Sequence, residues 1–117
     1  METATHEAVL VASVGVGVEQ GVYSFSKAAI VAMTQAWAKE LAQHHIRVNT
    51  VLPGLTDTKF ASAVTQSPAI MKMIPPLIPQ QRMAAPNEIA PAVLFLLSQA
   101  ASYVTGTHIC VDGSYLA

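Results

Sequence analysis

The sequence is short of charge. Of its 117 residues only 11% are Asp, Glu, Lys or Arg, while 52% are hydrophobic. Average soluble domains carry about 25% charged residues. Disorder needs the opposite balance, low hydrophobicity with high net charge, so a disordered chain is excluded. Neither sign of charge is in excess: six Lys and Arg stand against seven Asp and Glu, for a net charge of -1. Without a basic excess or cluster there is no electrostatic footprint for nucleic acid. The one cysteine, Cys110, cannot form an intrachain disulfide, which fits a reducing cytoplasmic setting better than secretion. Long apolar runs are missing too. Ala92 to Leu97 falls far below the roughly 20 residues of a membrane span, so no membrane partner is expected. Met1 to Glu7 has neither a basic n-region nor an apolar h-region, so no signal peptide is expected. The length predicts one domain at most, with a modest core. The chain is unusually apolar for something so short.

Ala8-Val9-Leu10-Val11-Ala12 is a short apolar run, rich in β-branched residues, that suits a strand buried on both faces of a parallel sheet. Ser13 to Gly21, with glycines at 15, 17 and 21, reads as a loop. From about Val22 to Gln43 the pattern is helical, Ala-rich and free of interior Gly and Pro, with Lys39, His44 and His45 near its end. Ile46 to Leu52 is a second strand, ending at Pro53-Gly54. Residues 55 to 85 carry Pro68, Pro75, Pro76 and Pro79 and predict short helices in an irregular segment. Asn87-Glu88-Ile89 opens a helix to about Gln99, with Pro91 expected in its first turn. His108 to Val111 is a third strand. Strands alternating with helices predict an α/β fold with a parallel sheet.

Tyr23 and Lys27 lie four apart on the predicted helix, one turn apart on one face. An ammonium beside a phenol favours the phenolate, and a tyrosine so tuned can act as general acid or base. Tyr-x-x-x-Lys also arises by chance in many helices. Ser13 ends the first strand, and ligands of open parallel sheets bind outside the carboxyl ends of the strands. It could donate to a substrate oxygen, or be an ordinary loop serine. Pro53-Gly54 ends the second strand, and the glycine allows close backbone approach to a ligand, or simply a turn. His6, His44, His45 and His108 have no metal-ligand spacing and read as surface or strand-end residues. Asn49 reads as structural, Cys110 as packed within a strand, and Met33 and Trp37 as packing or interface residues.

Taken together these pieces resemble a known family. Tyr23-Ser24-Phe25-Ser26-Lys27-Ala28-Ala29, Ala38-Lys39-Glu40-Leu41-Ala42, Ile46-Arg47-Val48-Asn49, Pro53-Gly54-Leu55-Thr56-Asp57-Thr58 and the ending Ala101 to Gly106 then Val111-Asp112-Gly113 look like the C-terminal half of a short-chain dehydrogenase/reductase (SDR). The resemblance covers nearly the whole chain from about Ala8. It implies an NAD(P)-dependent oxidoreductase moving hydride between NAD or NADP and an alcohol/carbonyl substrate. Tyr23 matches the family's acid/base tyrosine. Lys27 matches the lysine that tunes it and holds the nicotinamide ribose. Ser13 matches the serine that orients the substrate oxygen. Pro53, Gly54, Thr56 and Thr58 match the loop at the nicotinamide end and nearby phosphate, and Lys59 to about Met83 match the lid over the substrate. The family's long helix usually packs against a partner subunit, which implies a homo-oligomer or pairing with a full-length relative.

The sequence also departs from the family. Its members open with a strand, a glycine-rich turn and a helix that cradle the pyrophosphate. Gly15-Val16-Gly17-Val18-Glu19-Gln20-Gly21 has the wrong spacing and position for that turn. Ser13 also stands a few residues closer to Tyr23 than in the family. Residues 1–117 therefore read as a partial Rossmann-like domain, three parallel strands with connecting helices, lacking its N-terminal dinucleotide-binding half. The alternative is a non-catalytic remnant that acts as an interaction module or has no independent function. Right-handed crossovers between three adjacent strands predict both helices on one sheet face. The other face and the edge of the first strand are then expected to be exposed and apolar.

Overall fold

The computed structural model describes residues 6–12, 21–62, 66–73 and 75–117. Three strands, β1 (His6–Val11), β2 (Ile46–Pro53) and β3 (His108–Val111), form a parallel sheet in the order β1-β2-β3. Helix α1 (Gly21–Leu41) joins β1 to β2. Helices α2 (Pro68–Met73) and α3 (Pro86–Leu97) lie between β2 and β3, with short 3-10 turns at Lys59–Ala61, Pro75–Leu77 and Gln99–Ala101. The fold is the α/β, Rossmann-like parallel sheet that the sequence pattern implies.

β1 starts two residues earlier than its apolar run suggests. Glu7 is polar in the sequence, yet it pairs in register with Arg47 and forms an ion pair with it at 2.7 Å. The pairing runs from His6 opposite Ile46 to Val11 opposite Val51, and the Ala12 N–H extends the ladder to the Val51 carbonyl. β2 is the central strand, buried from Arg47 to Leu52. Its buried polar side chains find partners, as most buried polar groups do, save for Arg47 Nε among the described residues. The Arg47 guanidinium donates to the Leu96 and Val104 carbonyls. Asn49 donates to the Val104 carbonyl and accepts from the Thr107 N–H, the structural role read from the sequence. Thr50 and Thr34 of α1 share a hydroxyl hydrogen bond.

These contacts correct the expected topology. Side chains alternate between faces along a strand. Thr50 meets α1, whereas Arg47, of opposite parity, reaches the last turn of α3. The two helices therefore cover opposite faces of β2, and the two crossovers have opposite hands. The right-handed rule assumes a strand that feeds its helix directly. Here residues 54–85 intervene between β2 and α3 and free the second crossover from that constraint. Exposed apolar residues stand on both helices, at Val22 and Phe25 of α1 and Leu94 of α3, and on β1 at Val11. Among the described residues β1 pairs only with β2, so its other edge is open.

α1 gives way to a 3-10 turn at Ala42–His44, closed by His45 in the left-handed region with its N–H on the Ala42 carbonyl. α3 starts at Pro86, one residue before the expected opening, with proline at its favoured first position. Pro91 is thus past the first turn, inside the helix, and cannot donate to the Asn87 carbonyl. Among the described residues no helix is long and apolar enough to cross a membrane.

Candidate active site

Parallel strands present all their carboxyl ends at one edge of the sheet, and α1 begins at that edge because it follows β1. Tyr23 and Lys27 occupy its first two turns. The Lys27 ammonium sits over the Tyr23 ring, 5.5 Å from its centroid, within reach of a cation–π attraction. Tyr23 is 42% exposed, so its phenol is open to a reactant. Lys27 is half-buried and enters no ion pair among the described residues. Ser13 lies outside the described residues, as does Gly15 to Gln20 of the loop before α1.

Pro53 ends β2, and Gly54, Thr56 and Thr58 follow it at the same edge. The Gly54 N–H donates to the Val111 carbonyl, which ties the loop to the end of β3. A Cβ on Gly54 would stand 2.6 Å from Asp112 Cα. The glycine is thus required by the close approach of this chain's own backbone, a reason not visible in the sequence. The Thr56 hydroxyl donates to the Gly54 carbonyl at 3.0 Å, and the Thr58 hydroxyl accepts the Ala61 N–H at 3.3 Å. Both threonines shape the loop, and Thr58 caps the turn that opens the segment beyond.

The structure brings in two residues that the motifs did not single out. Arg82 and Glu88 form a bidentate ion pair, with both N–O distances 2.7 Å. The Arg82 guanidinium and the Ala85 N–H together hold the Glu88 carboxyl down at about 2. A glutamate three residues into a helix was the available signal, since it can reach back to the unpaired N-cap N–H. With Leu55, Cys110 and Asp112, the pair lines a cavity of about 410 Å³ beside the end of β3, which neither Tyr23 nor Lys27 lines. Cys110 is exposed within β3 and not packed as expected, because β3 is short and lies at the sheet edge. Partial burial and then the Asp112 carboxylate raise its thiol above the usual range. His6, His44, His45 and His108 are all exposed.

An enoyl-(acyl carrier protein) reductase family model matches residues 3–115. The chain belongs to the short-chain dehydrogenase/reductase family. It is 45% identical over 94 residues to acetoacetyl-CoA reductase of an Acinetobacter species, which covers 80% of this chain and 37% of the relative. It is 42% identical over 91 residues to 3-oxoacyl-[acyl-carrier-protein] reductase of Thermotoga maritima, covering 78% of this chain and 36% of the relative. The chain thus spans little more than a third of these curated relatives. A proposed 2-deoxy-d-gluconate 3-dehydrogenase from Agrobacterium tumefaciens, solved with bound NADP, superposes with a TM-score of 0.90 at 33% identity, over 96% of this chain and 47% of that one. A 4-hydroxyisoleucine dehydrogenase complexed with NADH superposes with a TM-score of 0.89 at 28% identity, over 94% and 46%.

Proposed function

We propose that residues 1–117 are the C-terminal half of a dinucleotide-binding domain in an oxidoreductase acting on an alcohol/carbonyl pair with NAD or NADP. The observation that carries this reading is Tyr23 and Lys27 side by side at the carboxyl edge, with the lysine in no ion pair among the described residues. These residues suit the nicotinamide end of a dinucleotide. The three N–H donors of Lys27 would take ribose hydroxyls, and Pro53, Gly54, Thr56 and Thr58 would border the nicotinamide and the adjoining phosphate. The glycine-rich pyrophosphate cradle of such folds is absent from this stretch. When bound, the dinucleotide supplies or accepts the hydride.

The chain's own part is proton transfer and positioning. In the reducing direction the Tyr23 O–H delivers its proton to the carbonyl oxygen; in oxidation its phenoxide removes the alcohol proton. The Lys27 charge beside the ring stabilises the negative charge left on the phenol oxygen. Ser13 is proposed to hold the substrate oxygen by a hydrogen bond. The segment from Lys59 to about Met83 would shape the substrate pocket, and its Met71, Met73 and Leu77 suit an apolar substrate portion, while Ile78 is buried in the core.

A homo-oligomer, or a pair with a full-length relative, accounts for the outer face of α1. There Val22 is 87% and Phe25 77% exposed, above Met33 and Trp37 on the same side of the helix. Two measurements test the functional reading. The 117-residue stretch alone should bind neither NADH nor NADPH tightly, and a micromolar dissociation constant would refute the proposed division of the domain. In the native chain that carries these residues, Tyr23→Phe should cut turnover by roughly 10²-fold to 10⁴-fold while the dinucleotide still binds. Retained turnover removes the acid/base role from Tyr23, whereas no turnover in the unaltered chain favours a non-catalytic interaction module.

A further inference from the structure

The loop after β2 is held in place from outside. The Asp57 N–H donates to the Ala84 carbonyl at 2.9 Å, and the Ala84 N–H donates to the Leu55 carbonyl at 3.0 Å. These two bonds make Thr56 and Ala84 an isolated parallel bridge. Ala84 is therefore the post to which the exit of Gly54–Thr58 is tied, yet its methyl side chain offers no polar anchor of its own.

The anchor comes from its neighbours. Arg82 grips Glu88 through two parallel bonds and also donates to the Met83 carbonyl at 3.2 Å. Glu88 Oε2 accepts the Ala85 N–H at 2.9 Å. The residues on both sides of Ala84 are thus bound into one ion pair. A fork-on-fork pair fixes orientation as well as distance, which a single contact does not. Glu88 belongs to the first turn of α3, and α3 packs across all three strands. Ala84 is in this way referred to the sheet itself.

We propose that Arg82 and Glu88 are positioning residues: their ion pair fixes Ala84, and the Ala84 bonds to Leu55 and Asp57 fix where Gly54–Thr58 lies at the carboxyl edge. The consequence for binding rests on the reading of that loop as the nicotinamide-end contact. Two readouts in the native chain separate the parts. Amide hydrogen exchange, followed by NMR, reports the tie directly. Arg82→Gln should speed exchange at Asp57 and Ala84 by about twofold to fivefold, the span open to an exposed but bidentate pair, while Val48 and Val51 stay unchanged. Arg82→Lys, which keeps the charge but not the fork, should restore only part of the protection. Steady-state kinetics should show a raised KM for the dinucleotide in Arg82→Gln and Glu88→Gln with kcat largely kept, and partial recovery in Arg82→Lys. Unchanged exchange at Asp57 and Ala84, or an equal rise at Val48, overturns the tie. Faster exchange there with an unaltered KM overturns the positioning role. Should the native chain show no turnover, the reading of the loop fails and the positioning role with it, whereas the exchange arm still decides the tie.

Discussion

Two arginine–glutamate pairs stand at opposite ends of this sheet, and they have little in common. Arg47 and Glu7 meet at the amino end, with side chains only 7% and 15% exposed. Arg82 and Glu88 meet at the carboxyl end, 54% and 41% exposed. At the amino end Arg47 also takes the Leu96 carbonyl in the last turn of α3, where the helix dipole favours a cation. It joins β1, β2, α3 and the segment before β3 in one cluster, and its Nε is left without a partner among the described residues. Among the described residues the carboxyl end has no such buried ion pair. There Tyr23 is exposed, Lys27 enters no ion pair among the described residues, and the loop after β2 is tied by backbone bonds and an exposed pair. The difference teaches a division of work: the amino end holds the strands together, and the carboxyl end leaves exposed the groups proposed for chemistry.

The sharpest break in that comparison is Tyr23→Phe. It removes one exposed hydroxyl, so the unfolding free energy should move by less than about 0.5 kcal/mol. Turnover in the native chain should fall by roughly 10²-fold to 10⁴-fold, the usual contribution of a positioned acid/base. A fall in turnover matched by a fall in stability would mean that the two ends are not separable. The converse change is Glu7→Gln. It leaves the buried Arg47 cation without its counter-charge, and such a break costs about 3 kcal/mol. Urea unfolding should show the loss as a lower midpoint with an unchanged slope. A midpoint that does not move would show that the Leu96 and Val104 carbonyls alone neutralise Arg47.

Gly54→Ala lies between these extremes. Its Cβ would press on Asp112 at 2.6 Å, and overpacking of this kind costs about 1–3 kcal/mol. The displacement falls on the loop at the carboxyl end, so dinucleotide affinity should drop together with stability. Unfolding and binding measured on the one variant check this, and a stable protein with full affinity would show that the Asp112 backbone yields freely.

Much of the layout was legible from local pattern. The three strands, α1 and α3 each carry a run or a period that depends on near neighbours alone, and Tyr23 with Lys27 follows from helical spacing. What stayed hidden depends on contacts distant in sequence. The face taken by α3 was misread, because the deciding contact joins Arg47 to Leu96, 49 positions away. The need for glycine at position 54 comes from Asp112, and the exposure of Cys110 from the place of β3 at the sheet edge. The Arg82–Glu88 pair was only half visible: the capping glutamate could be read, its arginine partner could not. Ser13 rests on its place in the sequence alone.

The smallest effect concerns the exposed pair, and it turns on pH. The Arg82 side chain, and then the Ala85 N–H, lower the Glu88 carboxyl from its ordinary 4.5 to about 2. A carboxylate lowered by folding stabilises the folded form above its unfolded value, and that contribution fades as pH falls through the folded one. The pair therefore stays charged at neutral pH and should be lost between about pH 4.5 and pH 2. Because both side chains face solvent, salt and water screen the attraction, and the global unfolding midpoint should hardly respond. The local readout is the Glu88 carboxyl carbon, followed by NMR across that range. Its midpoint should lie near 2 in the unaltered chain and move up towards 4.5 in Arg82→Gln. A midpoint already near 4.5 with Arg82 in place would mean that the carboxyl-end pair is broken in solution, and the contrast with the buried amino-end pair would then be between a clamp and no clamp at all.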